Sequence, residues 1–218
     1  FEAGEKIMSL CRGVIAERRR QGSEGRDDVI SMLLGSNLDG RPLDDDAILG
    51  MVAHLIVASS GTTQDLITNS IWLLALHPDE RRRLVADPSL IPEAVEEAIR
   101  FETVIQSVSR VSNVASVHHG IQVPAGATVV SLLGSANRDE RYWDNPDRFH
   151  VTGRAGRHVA FGDGIHHCIG APIARLEAKL VLEELLGAWP EYTITEPPVR
   201  AVSHVARGFE HLVIGAGA

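Results

Sequence analysis

Between Asp44 and Leu76 the sequence has no strong helix stop, and the first firm breaker is Pro78. The spacing predicts one helix of up to 33 residues, about 50 Å at 1.5 Å per residue, which would cross the whole molecule. Residues 48–58 are apolar on all sides, so burial on every face is expected. The middle of the helix conflicts with that expectation. Ser59, Ser60, Gly61, Thr62 and Thr63 place five poor helix formers in succession where burial should be deepest. Local conflicts of this kind often mark functional sites.

Around this rod the pattern is mostly helical. Ile7, Leu10, Cys11, Val14 and Ile15 recur at helical spacing, and Arg18, Arg19 and Arg20 close the segment where cations suit the helix dipole. A polar loop at Gln21–Gly25, a short helix through Val29, Ile30, Leu33 and Leu34, and a turn at Asn37–Gly40 lead to Asp44, a good N-cap. Pro78–Ala86 and Ile91–Phe101 read as two more helices, the second with Pro92 near its start. Val108, Val111, Val114, Val117, Ile121 and Val123 lie in short segments broken by His119-Gly120 and Pro124-Ala125-Gly126, which predicts a small sheet of hairpins; Val129–Leu133 can add a strand. Residues 134–167 form a polar, Gly-rich meander, a length of irregular chain that is usually functional. A helix over Ile169–Leu186 and short strands at Tyr192–Ile194 and Leu212–Ile214 finish the chain. The expected class is mainly α with a small β-sheet region (α+β), in a single domain without repeats or linkers.

Composition supports a packed globular protein: 218 residues, 44% hydrophobic and 23% charged. A net charge of −8 supplies no positive field for nucleic acid or an anionic membrane. No run reaches the ~18 consecutive apolar residues of a membrane span. Two cysteines, Cys11 and Cys168, make no disulfide framework, so a reducing compartment, the cytoplasm, is expected. The chain starts at Phe1 without an initiator Met or secretory signal and runs straight into a helical pattern, which reads as a cut chain.

The strongest local signal is Phe161-Gly162-Asp163-Gly164-Ile165-His166-His167-Cys168-Ile169-Gly170, just before the last helix. The glycines permit a tight turn around the thiol, and the following helix N-terminus favours a thiolate, which calls for a metal or an electrophile. Zinc needs about four ligands, and consecutive His-His-Cys side chains do not readily converge. A cysteine nucleophile lacks a second orienting residue. A buried helix-start cysteine explains the thiol but not the glycines.

The run resembles the haem-binding loop Phe-Gly-x-Gly-x-His-x-Cys-x-Gly of the cytochrome P-450 superfamily. That resemblance implies haem b held without covalent links, Cys168 as the proximal thiolate ligand of iron, and Phe161, Gly162, Gly164 and Gly170 as the loop around it. It makes His166 and Arg110 partners of the haem propionates. Glu97 and Arg100 look like the family's Glu-x-x-Arg motif, with Arg148 of Asn145-Pro146-Asp147-Arg148-Phe149 as their meander partner; the three are scaffold. Ala58-Ser59-Ser60-Gly61-Thr62-Thr63 is similar to the oxygen-binding groove Ala-Gly-x-(Asp/Glu)-Thr-Thr. Thr62 then falls on the threonine that steadies dioxygen and helps deliver protons, while Ser59 replaces the glycine and Gly61 the acid. Protons are expected through water, Ser59, Ser60 or a polar group of the substrate.

Val57, Ala58, Val104, Ile105, Val108 and Phe209 match segments lining the family's substrate pocket, and each equally suits plain core. Cys11 reads as core, His54 as a satisfied buried histidine, and His118 and His119 as a hairpin tip. Family chains are roughly twice this length, so the resemblance implies the C-terminal part of a haem-thiolate monooxygenase of the bacterial soluble type. Its partners would be an organic substrate, dioxygen and a ferredoxin or flavodoxin fed by NAD(P)H. The competing readings are a non-catalytic haem-binding or structural fragment and a peroxide-driven peroxygenase.

Overall fold

The structure is a computed structural model and describes residues 2–22, 25–152 and 156–217. Ser23 and Glu24 of the expected loop, residues 153–155 of the expected meander and the Phe1 start lie outside the described residues. The N-terminal amphipathic pattern folds as α1 (Glu2–Gln21), followed by α2 (Val29–Leu34). Asp28 caps α2 by accepting the Ser31 amide at 2.9 Å. That backbone bond, then the Arg18 guanidinium, hold the Asp28 carboxyl down at about 2. The turn at 37–40 carries a two-residue ladder, β1 (Asn37–Leu38) against β2 (Arg41–Pro42).

The long helix is α3 (Asp45–Leu76), 32 residues without a break. Asp44 Oδ1 caps it by accepting the Ala47 amide at 2.8 Å. Ser59 stays within the helix by turning its Oγ back to the Ile56 carbonyl at 3.3 Å. By length and composition alone this helix reaches the range of a membrane span, which counting consecutive apolar residues does not reveal. Ser59–Thr63 break the apolar run without lowering its average much.

The described residues gather into two compact units, Phe1–Gly61 and Thr62–Ala218, with the boundary inside α3. In the first unit Cys11 and Ile15 of α1, Leu33 of α2 and Ile48, Leu49 and Val52 of α3 form the core. The expected burial of residues 48–58 on every face does not hold. Val57 is 70% exposed, and Met51 and Ile56 are exposed too. Within this unit α1 and the short α2 cover only one side of the α3 cylinder. His54, expected to be buried, is exposed for the same reason.

The second unit packs Leu66, Leu73 and Leu74 of α3 against α4 (Pro78–Ala86), α5 (Ile91–Phe101) and the residues beyond them. β3 (Ser107–Val111) precedes a hairpin of β4 (Ser116–His118) and β5 (Ile121–Val123), turned at His119 and Gly120. β6 (Thr128–Leu132) pairs antiparallel with β3, so the expected sheet is a set of two-stranded ladders. Among its described residues the meander holds only the short α6 (Leu133–Ala136) and a 3-10 turn at Gly164–His166. α7 (Ala171–Ala188) brings Ala178, Leu182 and Leu186 to the same core. β7 (Tyr192–Ile194), β8 (Val199–Arg200), β9 (Phe209–His211) and β10 (Ile214–Ala216) close the chain, β7 pairing with β10 and β8 with β9.

Candidate functional site

The scaffold beneath the site is built from α5. Its Arg100 donates from Nε to Glu97 Oε2 at 2.7 Å and from a terminal nitrogen to Glu97 Oε1 at 2.8 Å. The other terminal nitrogen reaches the carbonyls of Asn137 at 2.9 Å and Pro146 at 3.0 Å. Arg148 adds its carbonyl at 3.5 Å, and the His150 amide donates to Glu97 at 3.2 Å. The Arg100 and Glu97 side chains are only 2% and 3% exposed, so one helical turn pins the meander by charge-assisted bonds to its backbone.

The meander ends in the Cys168 loop. Gly162 (φ 73°) and Gly164 (φ 69°) occupy the left-handed region that suits glycine. They let the chain double back until the Cys168 amide donates to the Phe161 carbonyl at 2.9 Å. The Gly162 amide donates to Val159 at 2.9 Å and His167 to Gly164 at 3.1 Å. Gly170 has an ordinary negative φ, and a Cβ there would sit 3.8 Å from Cys168 Sγ. The folded loop leaves the Cys168 thiol exposed just before α7. Ile165 is 98% and Ile169 84% exposed.

This surface fits haem iron better than zinc. Among the described residues no three metal-ligating side chains come together, whereas a lone thiolate suffices for an axial haem ligand. Two isoleucines left in water beside it suit an apolar macrocycle, since full burial of such a side chain is worth about 1.5–3 kcal/mol. His166 ends the 3-10 turn and is exposed. Arg110 on β3 is exposed, donates to its neighbour's carbonyl at 2.8 Å, and has no acidic partner among the described residues.

The α3 residues divide between the units. Ala58, Ser59 and Gly61 are exposed in the first, where a Cβ on Gly61 would meet open space. Thr62 is half-buried at the start of the second. Of the expected pocket residues, Val57 and Ala58 are exposed and Val104, Ile105 and Val108 half-buried. Phe209 is core: the Arg200 guanidinium lies 3.8 Å from its ring centre and 4.4 Å from that of Trp72.

Sequence reasoning missed two features. Asp65 packs against Gly208, where a Cβ would fall 1.8 Å from Oδ1; burial pushes its carboxyl up while Arg200 pulls it back. Glu96 of α5 is bonded to Arg175 of α7 and lies 3.1 Å from His158 Nε2. The signal for the second was present as two consecutive glutamates on one helix, whose side chains point about 100° apart.

The model of the family described as cytochrome P450 matches residues 1–190. The chain belongs to the cytochrome P450 family. It is 37% identical over 221 residues to cytochrome P450 107B1 of Saccharopolyspora erythraea, covering 100% of this chain and 54% of that one. It is 37% identical over 199 residues to the cytochrome P450 monooxygenase PikC of Streptomyces venezuelae, covering 89% of this chain and 48% of that one. The solved structure of CYP109E1 from Bacillus megaterium with testosterone superimposes with a TM-score of 0.91 at 32% identity, covering 98% of this chain and 59% of that one. The chain therefore has the α-rich P450 fold with small β regions and spans about half the length of the curated relatives it matches. P450 proteins bind haem b through a cysteine thiolate.

Proposed function

We propose that the chain is the cysteine-bearing part of a haem-thiolate monooxygenase, with Cys168 as the residue whose thiolate would hold haem b. The observation that carries this reading is the exposed Cys168 thiol, held on a glycine-formed turn directly before α7 and flanked by solvent-exposed Ile165 and Ile169. Haem bound there supplies activation of dioxygen, so that one oxygen atom enters an organic substrate and the other leaves as water.

The chain's own residues bind, orient and move protons. Phe161, Gly162, Gly164 and Gly170 shape the loop that presents the sulfur, and Arg110 and His166 supply charge for the propionates. Thr62 holds a proton on its hydroxyl and passes it on with water. Gly61 offers space but no carboxylate, so protons pass it through water, Ser59, Ser60 or a polar group of the substrate, and Ala58 lines the groove. A ferredoxin or flavodoxin fed by NAD(P)H delivers the electrons in the cytoplasm, and residues 1–218 are one partial domain of the enzyme. The similarity to the cytochrome P450 monooxygenase PikC of Streptomyces venezuelae supports the monooxygenase class, not a particular substrate.

The test is reduction of the haem-supplemented chain under carbon monoxide. A red-shifted Soret band that disappears in Cys168→Ser is expected; no haem uptake would leave only the non-catalytic fragment. The missing carboxylate at Gly61 favours one second reading, a peroxygenase. Product formed with dioxygen and reductant, and not with peroxide alone, rejects it.

A further inference from the structure

Glu96 does not serve the scaffold that its neighbour Glu97 serves. It faces α7, where Arg175 grips both its oxygens: Nε donates to Oε1, and a terminal nitrogen to Oε2 at 2.9 Å. His158, whose side chain is 8% exposed, stands 3.1 Å from the same Oε2. The Arg175 guanidinium so fixed lies over the Phe161 ring, 4.6 Å from its centre. Phe161 in turn accepts the Cys168 amide at 2.9 Å through its carbonyl. An unbroken set of contacts thus runs from α5 through α7 to the turn that carries the thiol.

We propose that Arg175, oriented by Glu96, is a positioning residue for Cys168: it clamps the Phe161 end of the loop and sets the charge felt by haem bound to the sulfur. The proposal rests on the haem-thiolate reading above. The Glu96 bond, against the opposing effect of burial, keeps the guanidinium charged beyond the ordinary arginine range, and the charges of Glu96 and Cys168 act in the same direction. Arg175 and Glu96 side chains are 36% and 42% exposed, and pairs this exposed stabilise folds little. Their geometry is nonetheless specific, because a planar fork stacked on an aromatic ring cannot be replaced by a point charge. As a pair they present almost no net charge to the sulfur, so removing either partner uncovers the other.

Two measurements on the 218-residue chain test this. In the haem-free protein, amide hydrogen exchange at Cys168 should quicken at least tenfold in Arg175→Gln and less in Arg175→Lys, while the buried Ile99 amide of α5 stays unchanged. Equal exchange at Cys168 in wild type and Arg175→Gln overturns the clamp. In the haem-loaded protein the reduction potential should fall in Arg175→Gln and rise in Glu96→Gln, each by a two- to tenfold change in the reduced-to-oxidised ratio. A purely structural role would move both the same way or neither, and either result overturns the charge effect. Absence of a thiolate band in the wild type would sink the haem reading instead, and the exchange measurement would still decide the clamp.

Discussion

Two glutamate–arginine pairs start from adjacent residues of α5 and end in opposite circumstances. Glu97–Arg100 closes within one helical turn, is almost wholly removed from water, and spends its remaining donors on meander carbonyls. Glu96–Arg175 joins two helices, remains more than a third exposed, and spends its free guanidinium face on Phe161. The same two side-chain types therefore build foundation on one face of a helix and support the reactive loop on the next. Burial decides between these outcomes, because an unpaired charge costs several kcal/mol in a core and little at a surface.

The largest effect should come from breaking the inner pair. Arg100→Leu takes both guanidinium bonds from the buried Glu97 carboxylate and should cost about 3–5 kcal/mol in urea unfolding, enough to unfold a marginal chain. A loss below about 1 kcal/mol would remove the distinction between the pairs. Next, Gly162→Ala forces a side chain into a φ of 73° and should cost about 1–2 kcal/mol, a figure the same titration can check.

The outer pair should show itself mainly in pH dependence. Burial pushes the Glu96 carboxyl up, but bonds from His158 and Arg175 outweigh it and hold the group at about 2, below the ordinary 4.5. A depressed carboxylate stabilises the fold above its unfolded value and loses that contribution as pH falls from about 4.5 through about 2. Glu96→Gln should therefore lower the unfolding midpoint most at neutral pH, by a small amount for so exposed a pair, and flatten its fall across that window so that variant and wild type converge toward pH 2. An unaltered slope would mean that the pair is not formed in solution. Smallest of all, Cys168→Ser should leave the stability of the haem-free chain within about 0.5 kcal/mol, as an exposed substitution does. A larger loss would place the thiol in packing and not at a binding surface.

What the sequence disclosed was whatever is encoded within a few residues. Pro78 and Asp44 marked the ends of α3, and the loop from Phe161 to Gly170 carried its own turn-forming glycines. Glu97 and Arg100 could be read as a pair because three residues is a helical contact distance. What escaped depends on long-range placement. Glu96 and Arg175 are 79 positions apart, so the Glu96-Glu97 doublet shows that the two side chains face different ways but not what Glu96 meets. The exposure of His54 and Val57 was hidden because an all-apolar helix surface says that it should be covered, not by what. Phe209 was legible only as an apolar residue, since its engagement by Arg200 requires the β8–β9 ladder to exist first.

The bare backbone at Gly208 ties two distant positions into a single choice. Because the Asp65 carboxylate fills the space that any Cβ there would need, a relative carrying even alanine at 208 must shorten, turn or relocate the acid on α3. Amino-acid usage at these two sites should then vary together through descent, and an engineer who wishes to retune position 65 has to begin at the residue that leads into β9.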